Sequence, residues 1–571
     1  MIPKTEAAWI LLALVVAWMT VCFRLGTLPL LQPDEGRNAE VAREMKLSGA
    51  WLVPTYNGID YLDKPAFYFK AVALSLAAFG DSETAARIPS AAFGLGLLGL
   101  AYLFCRREHG FRCAALAVMA VVSMPLFLVN ARTVIFDIAL AFFTSAAIFA
   151  GYRAEASEGN ARRGWYLVGA AAAGLATLVK GPVGFLIPTL VLFVFHRIEN
   201  RKGVVKRYFA PLNLLVFFGV TLPWFIGLSL AHRDFPYYGL VEESFHRFTT
   251  ASFHRTQPFY FYLLIVVGMF FPWSLLLPEA GMAAWKLRWT KTRAADRLCI
   301  VWAVVVVIFF SLSHSKLPGY ILSVTVACGI LVARLFDMAL TNPDGKAALI
   351  VRRAAIGFAV VCLVAVIAVA VLAPLAHSQA GRLGIPVAEA DELGRHIAAP
   401  IILFLVFAAA GLFARYRRDV SLCFACFALF PFLLTNVNLG KIELVFDGKS
   451  ARKLAQQMPT LPPDTELAFV KCFPNGLPFY LGRTGTLITK DGNELTSNYI
   501  LFCLKSAQVW PTNVVPFDGL DQWLAGRNHA VYLIARANGQ DQPVLQAIAT
   551  KRGAPVQQLT PLYLGVLLPA P

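Results

Sequence analysis

The residues of this chain best suited to chemistry begin at Pro33-Asp34-Glu35. Two carboxylates stand side by side in the first turn of a predicted helix, where the positive end of the helix dipole favours them. Capping explains one such carboxylate well and two less well. Arg37, Glu40, Arg43 and Glu44 continue the charged face, and Asp63-Lys64-Pro65 adds an acid next to a cation. Asp137 lies inside the apolar run Phe136 to Leu140. A carboxylate near hydrocarbon is expensive and reads as functional by default; the structural alternative is an ion pair with Arg132 or Lys180. Loop 231–257 carries Glu242, Glu243, His246, Arg247, His254 and Arg255, set among Tyr237, Tyr238, Phe245, Phe248 and Phe253. Residues 311–320 add Lys316 and Tyr320 at the start of an apolar segment. Carboxylates, cations and aromatic rings together suit a reaction on a lipid-linked phosphate. Cations neutralise the charge that develops on a departing phosphate. A carboxylate orients or deprotonates the incoming nucleophile. Aromatic rings stack on a sugar or line a lipid groove. Several His and carboxylates on one face also admit a divalent metal.

The elements that must hold these residues are membrane helices. Of the 571 residues, 58% are hydrophobic and 15% charged, too little charge to cover a soluble surface. Apolar stretches of bilayer-spanning length recur along the chain. Thirteen candidate spans are predicted, at 8–24, 84–104, 114–130, 133–152, 165–179, 182–196, 209–230, 258–279, 298–313, 317–334, 354–375, 398–414 and 420–438. The first reads as a retained span rather than a signal peptide, because an acidic motif follows it in place of a cleavage site. Alternate short loops are basic: 105–113, 153–164, 196–208, 286–298, 334–353 and 415–419 hold 23 Lys and Arg against 8 acids, a net of +15 within the chain's +17. That is the positive-inside pattern, so the basic charge marks topology and no nucleic-acid partner is expected. The N-terminus is then cytoplasmic and the C-terminus outside. The outward segments are 25–83, 131–137, 180–182, 231–257, 313–320, 376–397 and everything after about 439. All the residues singled out above fall on that side.

Two outward regions are long. Loop 25–83 contains two amphipathic stretches, 34–48 and about 64–79, expected to lie along the membrane surface. The tail 440–571 alternates helical segments (449–458, 518–526, 542–551) with β-rich ones (466–472, 484–489, 498–504, 530–535, 562–568), which predicts a small α/β domain. The domain organisation is thus a membrane domain over 1–439 and an outward α/β domain over 440–571. Cys472 and Cys503 both fall in the latter, where a disulfide is chemically permitted. Cys423-x-x-Cys426 sits inside an apolar helix and reads as core. Gly94-Leu95-Gly96-Leu97-Leu98-Gly99 matches a dinucleotide fingerprint by letters alone. It lies within a span with no preceding strand, where small residues let helices approach.

Pro33-Asp34-Glu35-Gly36-Arg37, Ala39-Glu40, Ala42-Arg43-Glu44-Met45, Ser48-Gly49-x-Trp51-x-x-Pro54 and Asp63-Lys64-Pro65 resemble the bacterial lipid A aminoarabinose transferase family, part of the membrane glycosyltransferases of GT-C type that include protein O-mannosyltransferases. Phe245-x-Arg247-Phe248, Pro272-Trp273 and Ser313-x-Ser315-Lys316-Leu317-Pro318-x-Tyr320-Ile321-Leu322 extend the resemblance over essentially the whole chain. It implies a mainly α, polytopic inner-membrane enzyme with a periplasmic α/β domain. Such an enzyme moves a sugar, aminoarabinose or a related one, from undecaprenyl (polyprenyl) phosphate to lipid A or another envelope glycan, with inversion at the anomeric carbon. It further implies that Asp34 and Asp137 are the catalytic carboxylates, supported by Glu35 and Arg37. Lys64, Arg247, Tyr320 and, more weakly, Lys316 would meet the donor phosphate. Close family members imply a bound zinc-like ion, which here concerns Asp63, Glu242 and His246. The family usually has Glu-Lys-Pro at Asp63-Lys64-Pro65 and His-Glu-His at Glu242-Glu243-Ser244, positions that bear on metal and sugar choice. Two other classes fit part of the sequence: a transporter or flippase of lipid-linked sugars, and a glycolipid-binding scaffold. A transporter would be expected to carry midplane charges and repeated halves, and neither is evident.

Overall fold

The computed structural model describes residues 4–250, 256–286, 293–378, 397–506 and 510–570; His254, Arg255 and Phe253 lie outside them. The chain forms two compact units. The first comprises Met1–Leu25, Ser90–Ile226 and Ser244–Lys441, and the second Gly26–Pro89, Gly227–Glu243 and Ile442–Pro571. The first outward loop and part of loop 231–257 therefore group with the C-terminal residues rather than with the helices that flank them in sequence.

Apolar helices dominate the first unit. Among the described residues, seven helices are long and apolar enough to cross a bilayer: Glu83–His109, Pro211–Ala231, Ala294–Leu312, Val324–Thr341, Lys346–Val371, Ala398–Tyr416 and Val420–Val437. Only 17% of the apolar window in Pro211–Ala231 is buried, and 22% in Lys346–Val371. Side chains such as Leu215, Leu230, Val364 and Ile367 point outward, which only a lipid surround makes tolerable. The protein is a multi-pass membrane protein. Among the described residues, two of the thirteen expected spans are interrupted. The segment expected at 114–130 breaks into Phe111–Val122 and Pro125–Ala131, bent by 73°, because Pro125 cannot continue the preceding helix. The segment expected at 258–279 breaks into Phe261–Met269, a 3₁₀ turn Trp273–Leu275 and Leu277–Lys286, again at proline (Pro272, Pro278). The buried Trp273 there donates its indole N–H to Ser123 Oγ at 2.9 Å.

The second unit is built on a six-stranded sheet in the order β5-β4-β3-β6-β8-β7. The strands are β3 (Glu466–Val470), β4 (Thr486–Thr489), β5 (Val514–Pro516), β6 (Val531–Arg536), β7 (Val556–Thr560) and β8 (Tyr563–Leu568), following a short hairpin of β1 (Thr55–Tyr56) and β2 (Ile59–Asp60). β3 to β6 are parallel, and β7 and β8 close the sheet antiparallel. Nearly every residue of β3, β4 and β6 is buried, as for parallel strands covered on both faces. The stretch 498–504, expected as a strand, is instead the helix Asn498–Ser506. Cys472 and Cys503 do not form a disulfide; Cys472 is buried and its Sγ lies 3.5 Å from the Ile534 carbonyl oxygen.

The helix Asp34–Ser48 is not a solvated face. Every residue from Glu35 to Met45 is buried, and buried polar groups must find partners. Glu44 accepts from Thr55 Oγ1 at 2.6 Å and from the backbone N–H of Asn57 at 2.6 Å and Gly58 at 3.0 Å. Arg43 forks onto both oxygens of Glu40 at 2.7 Å. A hydrophobic stripe is absent because this helix is held by polar networks on several sides.

Candidate active site

Each unit gathers one cluster of the residues singled out from sequence. In the second unit, successive residues of a helix point about 100° apart, so the neighbours Asp34 and Glu35 meet different surroundings. The Glu35 side chain is 2% exposed and the Asp34 side chain 47%. Glu35 takes a two-pronged ion pair from Arg87, Nε to Oε1 and Nη2 to Oε2 both at 3.0 Å, and accepts the Leu31 N–H at 3.1 Å. Its bonding capacity is spent on structure. Among the described residues Asp34 accepts one side-chain bond, from Arg37 Nη2 at 2.5 Å. Arg37 is buried; its Nη1 reaches the Thr496 carbonyl oxygen and Oγ1, both at 2.8 Å, and its guanidinium lies 5.9 Å from the Tyr61 ring. Burial alone would lower its pKa, but Tyr61, Asp34 and Asp63 together raise it, so this arginine stays charged. Gly36 packs on the Gly476 backbone so closely that a Cβ would fall 2.6 Å from Gly476 Cα.

Lys64 pairs with Glu243 and donates to the Asp63 carbonyl oxygen at 2.7 Å. Glu243 also accepts from Asn498 Nδ2 at 3.2 Å. The Asp63 carboxylate is fully used: Oδ1 accepts from Tyr238 OH (3.0 Å), Ser497 Oγ (3.2 Å) and the Tyr499 N–H (2.6 Å), and Oδ2 from the Asn498 N–H (3.1 Å). It caps the helix Asn498–Ser506 from outside, a role that suits a carboxylate at a helix N-terminus. A metal at Asp63 would have to compete with these donors. Among the described residues no three His, Cys, Asp or Glu side chains converge as a metal-binding set. Asp63, Glu242 and His246, singled out for that role, therefore do not form one. Glu242 instead accepts from Tyr237 OH at 3.3 Å.

In the first unit, Asp137 opens the helix Asp137–Glu155 and Lys180 ends the helix Gly159–Lys180. The two form an ion pair. Arg132, the other candidate partner, is turned away onto the carbonyl oxygens of Thr20 (2.8 Å), Val21 (3.3 Å) and Arg24 (3.1 Å). Lys180 Nζ also lies 4.2 Å from the Tyr320 ring centroid, and Arg247 Nη2 donates to Tyr320 OH at 3.2 Å. Burial pushes the Tyr320 phenol up, yet Arg247 and Lys180 outweigh it and bring its pKa below the ordinary value. Arg247 and Lys180 thus bring two cations to Tyr320, an arrangement that suits a phosphate. Gly319 lets the turn Pro318–Ile321 come this close, because a Cβ there would fall 2.8 Å from Asp137 Oδ2. Lys316 is not part of the cluster in the way expected. It is buried and donates to the carbonyl oxygens of Gln257 (3.0 Å) and Ser313 (2.5 Å), fastening the loop that carries Tyr320. Lys180, considered from sequence only as a structural partner, belongs to this cluster; its place at the end of a span level with Asp137 was the available signal. Thr496 to Tyr499 carried no motif at all.

Residues 63–226 match the family model described as dolichyl-phosphate-mannose-protein mannosyltransferase. An undecaprenyl phosphate-alpha-4-amino-4-deoxy-L-arabinose arabinosyl transferase of Sodalis glossinidius is 31% identical over 445 residues, 76% of each chain. Proteins of the same description from Pseudomonas fluorescens and Edwardsiella ictaluri are 32% and 31% identical. Those two alignments span 51% and 62% of the relatives' length, and 52% and 60% of this chain. The crystal structure of ArnT from Cupriavidus metallidurans bound to undecaprenyl phosphate superposes with a TM-score of 0.83 at 28% identity, covering 100% of both chains. Its apo state gives 0.82.

Proposed function

Because this chain belongs to the undecaprenyl phosphate-aminoarabinose arabinosyl transferase family, we propose that it is a GT-C glycosyltransferase that moves aminoarabinose or a related sugar from undecaprenyl phosphate to lipid A. The observation that carries this reading is the division of labour between two adjacent carboxylates. Glu35 is consumed by Arg87, while Asp34 is half-exposed and aimed by a buried arginine. In the reaction, the bond between the anomeric carbon and the donor phosphate oxygen breaks and a bond to the acceptor oxygen forms. The leaving undecaprenyl phosphate takes the electron pair, and in the first unit Arg247 and Lys180, with Tyr320, are the groups suited to hold its charge. Asp34 takes the proton of a hydroxyl acceptor. An ionised phosphate acceptor has no proton to give, and Asp34 then orients it. Asp137 acts by holding Lys180 in place. The Lys and Arg excess of alternate loops supports a cytoplasmic N-terminus and a periplasmic C-terminal α/β domain.

The test is transfer by the purified protein in liposomes, supplied with undecaprenyl phosphate-linked aminoarabinose and lipid A. A mass increase on lipid A equal to one aminoarabinose supports the reading; no transfer from this or other undecaprenyl phosphate-linked sugars sinks it. Arg247→Ala should weaken undecaprenyl phosphate binding by roughly 10- to 100-fold, the worth of a charged hydrogen bond lost. An unchanged Kd in a titration with the lipid would remove Arg247 from the phosphate site.

A further inference from the structure

The sheet of the second unit has a topological switch point between β3 and β6, from which the parallel strands run outward in opposite order. Open α/β sheets take ligands at such a point, beyond the carboxyl ends of the strands. Here the segments leaving those ends hold this chain's own first loop. After β3, the Asn475 carbonyl oxygen and Oδ1 accept from Tyr56 OH at 3.2 and 2.7 Å, and Gly476 meets Gly36. After β4, Thr496 binds Arg37, and Ser497, Asn498 and Tyr499 bind Asp63. Four consecutive residues thus anchor both the Asp34–Arg37 arm and the Asp63–Lys64 arm.

Thr496 stands out among them. Its φ of 55° is left-handed, a conformation uncommon for a β-branched residue and retained only where the surroundings impose it. In that conformation its carbonyl oxygen and hydroxyl both face Arg37 Nη1 at 2.8 Å. The hydroxyl proton goes to Asn475 Oδ1 at 3.0 Å, leaving an Oγ1 lone pair for the guanidinium. The other end of that guanidinium holds Asp34. We propose that Thr496 is a positioning residue for sugar transfer, fixing the direction of the Asp34 carboxylate through Arg37, and that the C-terminal α/β unit serves catalysis by presenting this turn. The inference rests on the proposed transferase reading.

Thr496→Gly tests it, because glycine adopts a left-handed φ without strain and removes the hydroxyl. If Thr496 served the fold alone, this change would lower the unfolding midpoint and leave the turnover of the folded protein unchanged. The expected result in liposomes with the lipid-linked sugar and lipid A is an unfolding midpoint no lower than the parent's, a kcat about 10-fold lower and an unchanged KM for the donor. Thr496→Ser, which keeps the hydroxyl, should restore kcat to near the parent value. Thr496→Gly added to Arg37→Ala should cost nothing further, since both changes cut one chain of contacts. A parent-like kcat in Thr496→Gly, a change in KM alone, or losses that multiply in the double variant would overturn the role of Thr496 and leave the transferase reading standing. No transfer by the parent protein would sink both.

Discussion

Asp34→Asn should lower kcat for sugar transfer by about 10³-fold, within the range lost when a positioned acid–base group is removed, and should leave the KM for the lipid-linked sugar unchanged. Asparagine matches aspartate in size and can still accept from Arg37, so the geometry of the turn survives and only the negative charge is lost. A group whose charge matters in the transition state alone affects kcat and kcat/KM equally. The thermal midpoint should not move, because the Asp34 side chain is 47% exposed and its ion-pair partner, Arg37, is also held by Thr496. The measurement is initial-rate kinetics of the purified protein in liposomes, beside a thermal unfolding curve. Turnover within a few-fold of the parent would remove Asp34 from the reaction. A parallel rise in KM would instead make it a binding residue.

Parts of this site are legible in the sequence because their cost is legible. An acid in an apolar run at Asp137 needs a partner, and Lys180 at the facing end of a later span supplies it. Two acids in one helical turn exceed what capping explains, and the structure gives them separate tasks. Other parts depend on contacts between residues hundreds of positions apart. Residues 498–504 are a short apolar run, for which strand and helix cannot be told apart by periodicity. Asp63, more than 430 residues earlier, decides for helix by accepting the first two backbone N–H groups. Lys316 has the composition of a phosphate ligand, and only the direction of two carbonyl groups shows that it fastens a loop. Residues 35–45 have the charge of a solvated face, yet they are buried, because their partners come from the β-hairpin and from turns of a distant sheet.

Arg87→Met should destabilise the second unit more than any change at Asp34. Arg87 and Glu35 have side chains 2% exposed, and the guanidinium donates to both Glu35 oxygens, to the Leu28 carbonyl oxygen at 2.6 Å and to that of Pro29 at 2.9 Å. Removing one partner of a buried pair strands the other charge and costs about 3–5 kcal/mol. For a unit of this size that is a fall of roughly 6–20 °C in unfolding midpoint. The double variant Glu35→Gln with Arg87→Met removes the stranded charge and should recover a large part of the loss, though the two carbonyl groups stay unpaired. Differential scanning of the purified protein checks both variants. A midpoint within 2 °C of the parent's for Arg87→Met, at the few degrees per kcal/mol expected, would mean that the pair adds little. A double variant as unstable as the single would assign the cost to the carbonyl groups instead. The contrast with Asp34→Asn is what separates the two carboxylates: one helical residue apart, the first is expected to cost turnover without stability, and the second, through Arg87, stability first and turnover only as a consequence.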